Sequence, residues 1–128
     1  SAAAAVLFPT EWEEPFGLVP LEAMACHAPV IATGQGGSAE FLVDGVNCLR
    51  FPAGNSEGLA AAVRTLASDV TLRARLIEAG VRTARELTAA RLAEVLEEWH
   101  LAAAAGFPSG PPAPRPVVAD LLRRQSPA

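Results

Sequence analysis

The chain has 128 residues, 51% of them apolar, which is enough for one modest domain with its own core and too few for two facing domains. Its formal charge is −4, every cation is an arginine and the first of them is Arg50; that balance argues against a nucleic-acid groove or an anionic membrane surface as partner. No apolar run approaches the roughly 20 residues needed to cross a bilayer and the first residues lack a basic n-region, so no transmembrane segment and a cytoplasmic location are expected.

Along the chain, strand-like and helix-like stretches alternate, which predicts an α/β fold on a parallel sheet. Ala4–Phe8 is a short apolar run stopped by Pro9, expected to be a strand buried on both faces. A polar loop from Thr10 to Gly17 carries Glu11, Glu13 and Glu14. The next helix begins near Leu18, because Pro20 has a φ suited to a first turn and Ala23, Met24 and Ala25 are good helix formers; Pro29 is expected to end it. Pro29 to Thr33 reads as a second strand. Gly34-Gln35-Gly36-Gly37 then makes a turn, Ser38 looks like an N-cap, and a brief helix from Ala39 to Val43 closes at Asp44-Gly45.

Asn47 to Phe51 is the third expected strand. Beyond Gly54 the pattern is helical. Asn55 caps a segment with Leu59, Val63 and Leu66 on one face, Leu72 and Leu76 repeat that spacing after Asp69, and a last helix runs from about Thr88 to Ala104 with Leu92, Leu96 and Trp99 at helical spacing. Six of the 23 residues from Gly106 to Ala128 are proline. That stretch is expected to be a disordered tail, with Val117 to Arg124 as a weak amphipathic patch.

Cys26 and Cys48 are too few and too far apart for a zinc site or a disulfide framework, and both read as reduced thiols packed as small hydrophobes. His27 and His100 have no His or acid at metal spacing beside them, and no Asp-x-Asp pair occurs; no metal is expected.

The chemistry is concentrated in Glu14-Pro15-Phe16-Gly17-Leu18-Val19-Pro20-Leu21-Glu22. In doubly wound sheets ligands sit beyond the C-terminal ends of the strands, where helix N-termini present unpaired N–H groups and about half a positive charge. Gly17 allows close backbone approach, so the amides of Leu18 and Val19 can meet phosphate oxygens. Glu14 and Glu22 flank that position. Carboxylates accept well from vicinal hydroxyls, and Glu22 lies on the order of 6 Å along the helix at about 1.5 Å per residue, leaving room for a phosphate between the two contacts, which suits a nucleotide sugar. The bland reading makes Glu14 a solvated loop charge and Glu22 an acid in the first helical turn, favoured by the helix dipole.

The run EPFGLVPLEAMACHAPVIATGQGGSAEFLVDGVNCL resembles the donor-binding half of the family 4 glycosyltransferases, strongly from about Val6 to Gly54 and more loosely to Trp99. The resemblance implies a partial Rossmann-like domain over residues 1–105, the C-terminal part of a two-domain, retaining GT-B enzyme, with residues 106–128 as the tail. It further implies that Glu14 contacts donor-sugar hydroxyls near the reacting face and is the catalytic candidate, that Glu22 grips the ribose, and that Phe16, Gly17, Leu18 and Val19 meet phosphate and sugar. Gly36, Gly37 and Glu40 match a second pocket loop of that family, whereas His27 stands where glycine is common.

The resembled family neutralises the leaving diphosphate with an Arg and a Lys upstream of this segment and takes its acceptor in a facing N-terminal domain. Residues 1–49 hold six acids and no cation. The chain is therefore expected to bind a nucleotide sugar without cofactor and to transfer no sugar alone, needing the N-terminal acceptor domain from the same or a separate chain. The alternatives are a non-catalytic nucleotide-binding module and a subunit of a split glycosyltransferase that docks through Trp99 and the tail. A C-terminal helix crosses back to the N-terminal domain in that family, which would make Trp99 an anchor, although a core tryptophan explains its spacing as well.

Overall fold

The computed structural model describes residues 3–106, apart from the side chains of Leu92, Val95, Leu96, Trp99 and Ala102. The expected tail beyond Gly106, its Val117–Arg124 patch and the anchoring role of Trp99 lie outside what is described. The described residues fall into two compact units, the first ending at Arg85 and the second starting at Glu86.

The first unit is built on three short parallel strands, β1 (Val6–Phe8), β2 (Val30–Ala32) and β3 (Leu49–Arg50), hydrogen-bonded in the order β1-β2-β3. Val6 pairs in register with Val30, and Ile31 with Leu49. The central strand is fully buried, which is the environment that its Val-Ile-Ala sequence suits. β1 departs from expectation: Leu7 is 47% exposed rather than covered. By register Leu7 shares a face with Ile31, yet the buried cluster on that face, Ile31 with Phe51, Leu66 and Leu76, gathers over β2 and β3.

Helix α1 (Leu18–Ala25) connects β1 to β2 and buries Pro20, Leu21, Ala23 and Met24. It starts where Pro20 predicted and stops four residues before Pro29. The stop is a Schellman turn: the His27 amide donates to Met24 O (3.1 Å) and the Ala28 amide to Ala23 O (2.9 Å), with His27 in the left-handed region at φ 60°. Cys26 therefore sits at the helix end and is exposed, not packed as a small hydrophobe; Cys48 is buried, and both thiols are free.

Between β2 and β3 the expected Ala39–Val43 helix is instead a 3-10 helix over Gly36–Glu40. Ser38 does not cap it. Ser38 is completely buried inside it and donates its hydroxyl to Gln35 O (2.7 Å), because the glycine pair before it allows the chain to coil three residues early. The third strand is shorter than expected: Asn47 belongs to the preceding turn, and its side chain is a buried polar hub.

Helix α2 (Ser56–Ser68) is capped by Asn55, whose Oδ1 accepts from the Gly58 amide at 2.8 Å, as the sequence indicated. Its inward stripe runs through Leu59, Ala62 and Leu66; Val63, expected on that face, is exposed because it lies one position beyond the stripe. Asp69 accepts from the Leu72 amide at 2.8 Å and opens α3 (Val70–Glu86), which buries Leu76, Ala79, Gly80 and Thr83. In the second unit α4 (Ala89–Ala104) occupies the expected stretch, and Thr88, read as its first residue, caps it instead.

Candidate functional site at the C-terminal edge of the sheet

The loops that leave β1 and β2 are joined at their roots. Thr10 and Thr33 are both buried just past their strands; Thr33 Oγ1 donates to Thr10 O at 2.7 Å and lies 3.1 Å from Thr10 Oγ1. Two hydroxyls that burial would otherwise leave costly thus satisfy each other and fix the spacing of the two loops.

Higher up, the glycines decide the contact. The Gly37 amide donates to Glu14 O at 2.6 Å. A Cβ on Gly36 would run into the backbone of Glu13 and Glu14, and one on Gly37 into the carbonyl of Pro15. Gly17, at φ 91° and ψ 54°, turns the chain into α1 and leaves room for Ser38, whose Cβ would stand 2.7 Å from a side chain placed there. The two loops matched separately in the sequence, Glu14–Val19 and Gly36–Glu40, are therefore one packed unit.

Gly17 supplies no side-chain cap to α1, and Pro20 at the third helical position has no N–H to satisfy. The Leu18 and Val19 amides are the first donors of an uncapped N-terminus, with exposed side chains on both residues and on Phe16. Such a terminus carries about half a positive charge toward the loop that bears Glu14. Glu14 is half-buried in that loop. Glu22 is exposed on α1 four residues after Leu18, hence on the same face one turn on. It is not in the first turn, which contains no acid, so pairing with the helix dipole does not account for it. Glu40 is exposed at the last position of the 3-10 helix.

Two residues escaped the sequence reading. Arg50 follows the cation-free stretch immediately, and its guanidinium reaches back over the end of β2, Nη2 donating to Gly34 O at 2.9 Å and to Thr33 O at 3.1 Å. The available signal was its place at the C-terminal end of an expected strand, where doubly wound sheets present side chains to ligands. An open hollow of about 320 Å³ lies beside it, lined by Thr33, Gln35, Arg50, Phe51, Pro52 and Ala53. Neither Glu14 nor Glu22 lines that hollow. The second residue is Asn47, 1% exposed, whose amide group bridges Phe41 O (2.7 Å), the Val43 amide (2.8 Å) and Thr83 Oγ1 (3.0 Å).

Burial, with the Asp44 carboxylate adding to it, pushes the Cys48 thiol up to about 12. That thiol is a packed group without reactivity. Among the described residues no three His, Cys, Asp or Glu side chains gather as a metal site.

A parallel sheet with glycine-rich loops and an uncapped helix N-terminus at its C-terminal edge is the architecture of a nucleotide-binding α/β domain. Residues 1–83 match the family model described as glycosyl transferases group 1, and the chain belongs to that family. It is 39% identical over 82 residues to the lipopolysaccharide core biosynthesis glycosyltransferase LpsE of Rhizobium meliloti, an alignment covering 64% of this chain and 24% of that protein. It is 38% identical over 91 residues to the D-inositol 3-phosphate glycosyltransferase of Kribbella flavida, covering 68% and 22% respectively. The crystal structure of Anabaena HepE in complex with UDP-glucose superposes with a TM-score of 0.68 at 30% identity, over 76% of this chain and 28% of that one. The chain thus spans about a quarter of the length of these relatives. No described helix is long and apolar enough to cross a membrane.

Proposed function

We propose that this chain supplies the donor-recognising half of a nucleotide-sugar-dependent glycosyltransferase. The observation that carries the reading is the packing of the Glu14–Val19 and Gly36–Glu40 loops into one unit around the uncapped N-terminus of α1. In this reading the Leu18 and Val19 amides hold the diphosphate, to which they donate without a counter-ion. The Glu14 carboxylate accepts from hydroxyls of the donor sugar beside the reacting carbon and is the catalytic candidate. Glu22, one turn further along, accepts from the ribose hydroxyls, while Phe16 and Gly17 complete the floor and Gly36, Gly37 and Glu40 the rim. UDP-glucose is the first donor to try, since the related HepE binds it.

The transfer is proposed to be retaining and metal-independent and to take place in the cytoplasm. Developing charge on the leaving nucleotide needs cations for fast reaction. Arg50, the first of the chain, spends its Nε and Nη2 donors on the carbonyls of Thr33 and Gly34. The facing acceptor domain and its basic groups are accordingly assigned to another segment or another chain. Calorimetric titration of the 128-residue chain with UDP-glucose tests the reading: binding is expected, and Glu22→Gln is expected to weaken it about tenfold, the effect of one lost charge-assisted contact. Equal affinity in Glu14→Gln, Glu22→Gln and the parent chain overturns it.

A further inference from the structure

We infer that Phe41 is a positioning residue for the α1 N-terminus, held in place from behind by Asn47; the link to substrate rests on the donor-site reading above. Phe41 follows the 3-10 helix and is 1% exposed. Its ring centroid lies 5.8 Å from that of Phe16, the planes tilted by 47°. The tip of the same ring is 3.4 Å from where a Cβ on Gly17 would stand. Phe41 therefore stacks with one and fills the space beside the other of the two residues that set the direction in which the Leu18 and Val19 amides point.

A buried ring holds a neighbour only if its own backbone is fixed. Asn47 Nδ2 donates to Phe41 O and to Thr83 Oγ1, Asn47 Oδ1 accepts from the Val43 amide, and the Thr83 hydroxyl donates to Ala79 O at 3.0 Å. An unbroken line of contacts runs from α3 through Thr83, Asn47 and Phe41 to Phe16 and Gly17. The side-chain polar atoms of Asn47 and Thr83 are all engaged, so the arrangement is stiff, and the exposed amides at its far end inherit that stiffness. Phe41 itself is buried away from solvent and acts through Phe16 and Gly17.

The test compares Phe41→Leu, which keeps an apolar side chain but removes the aromatic pair, with Leu66→Val, a trimming of the core cluster under α2. Both are made in the full chain, and both lower its stability. Phe41→Leu is expected to weaken UDP-glucose binding about tenfold and to shift the amide resonances of Leu18 and Val19; Leu66→Val is expected to leave affinity and those resonances in place. Equal loss of affinity in the two variants, or unmoved Leu18 and Val19 resonances in Phe41→Leu, overturns the inference. Should Phe41→Leu fail to fold, Phe16→Leu breaks the same ring pair from its exposed side and is read by the same resonances. If the parent chain binds no UDP-glucose while the resonances respond as stated, the donor reading falls and the positioning of the helix end stands.

Discussion

Cys48 is a sensitive reporter of this fold, because its thiol is wholly buried and titrates near 12 instead of near 9. The folded state keeps the proton over an interval in which the unfolded chain has lost it. Stability is therefore fully present below about pH 9 and declines as pH rises toward 12, at roughly 1.4 kcal/mol per unit for one proton. The chain contains neither lysine nor tyrosine, so the two thiols are its only side chains that ordinarily titrate between pH 9 and 12. Urea titrations at pH 8 and pH 10.5 are expected to show this loss, and Cys48→Ala to remove most of the difference. Native chain is likewise expected to expose one thiol, that of Cys26, to a thiol-specific reagent, and denatured chain two. His27 offers an independent check. It holds a left-handed turn that glycine adopts more easily, and its side chain is exposed. His27→Gly is expected to stabilise the chain by about 0.5–1 kcal/mol, read as a raised urea midpoint at unchanged slope.

At the scale of elements, the loops after β1 and β2 are coupled by backbone contacts rather than by side chains. Gly37→Ala drives a methyl group into the Pro15 carbonyl, an overlap that no rotamer change relieves. The expected outcome is a loss of about 2 kcal/mol or more in urea unfolding together with displaced resonances of Phe16 and Gly17. Asn47→Ala acts from the other side of the same unit. It leaves Phe41 O and the Val43 amide without their partner in a dry setting, which is expected to cost about 2–4 kcal/mol. The exposed ion pairs Glu78–Arg82 and Arg91–Glu94, each joining neighbours on one helix, contribute little beside such terms.

The helices illustrate where periodicity suffices. Asn55, Asp69 and Thr88 each cap the helix that follows, since a side-chain oxygen three residues before an amide needs no distant partner. Periodicity failed at Val63, because whether the flank of a stripe is covered depends on how far the opposing layer extends. It failed also at Ser38: a hydroxyl before a helical run is an N-cap by local rules, and only the Gly17 backbone packed against it turns it into a buried core residue.

For the molecule as a whole, the arrangement of charge governs what the chain does by itself. Six acids lie in its first 49 residues, and Arg50 has two of its guanidinium nitrogens engaged with carbonyls. Purified chain mixed with UDP-glucose and a panel of sugar acceptors is therefore expected to give no glycoside. Any transfer above the uncatalysed rate sinks the proposal that the cationic clamp and acceptor site belong elsewhere.

The amino-acid sequence alone determined the alternation of strands and helices, the Asn55 cap, the start of α1 and the spacing of Glu14 and Glu22, all set by interactions among residues a few positions apart. The tertiary structure decided the rest: the union of the two glycine-bearing loops, the reach of Arg50 to the end of β2, the hub at Asn47 and the exposure of Leu7. Each of these depends on groups separated by many residues in the chain, or on the limited extent of a covering layer. Neither leaves a periodic mark in a sequence.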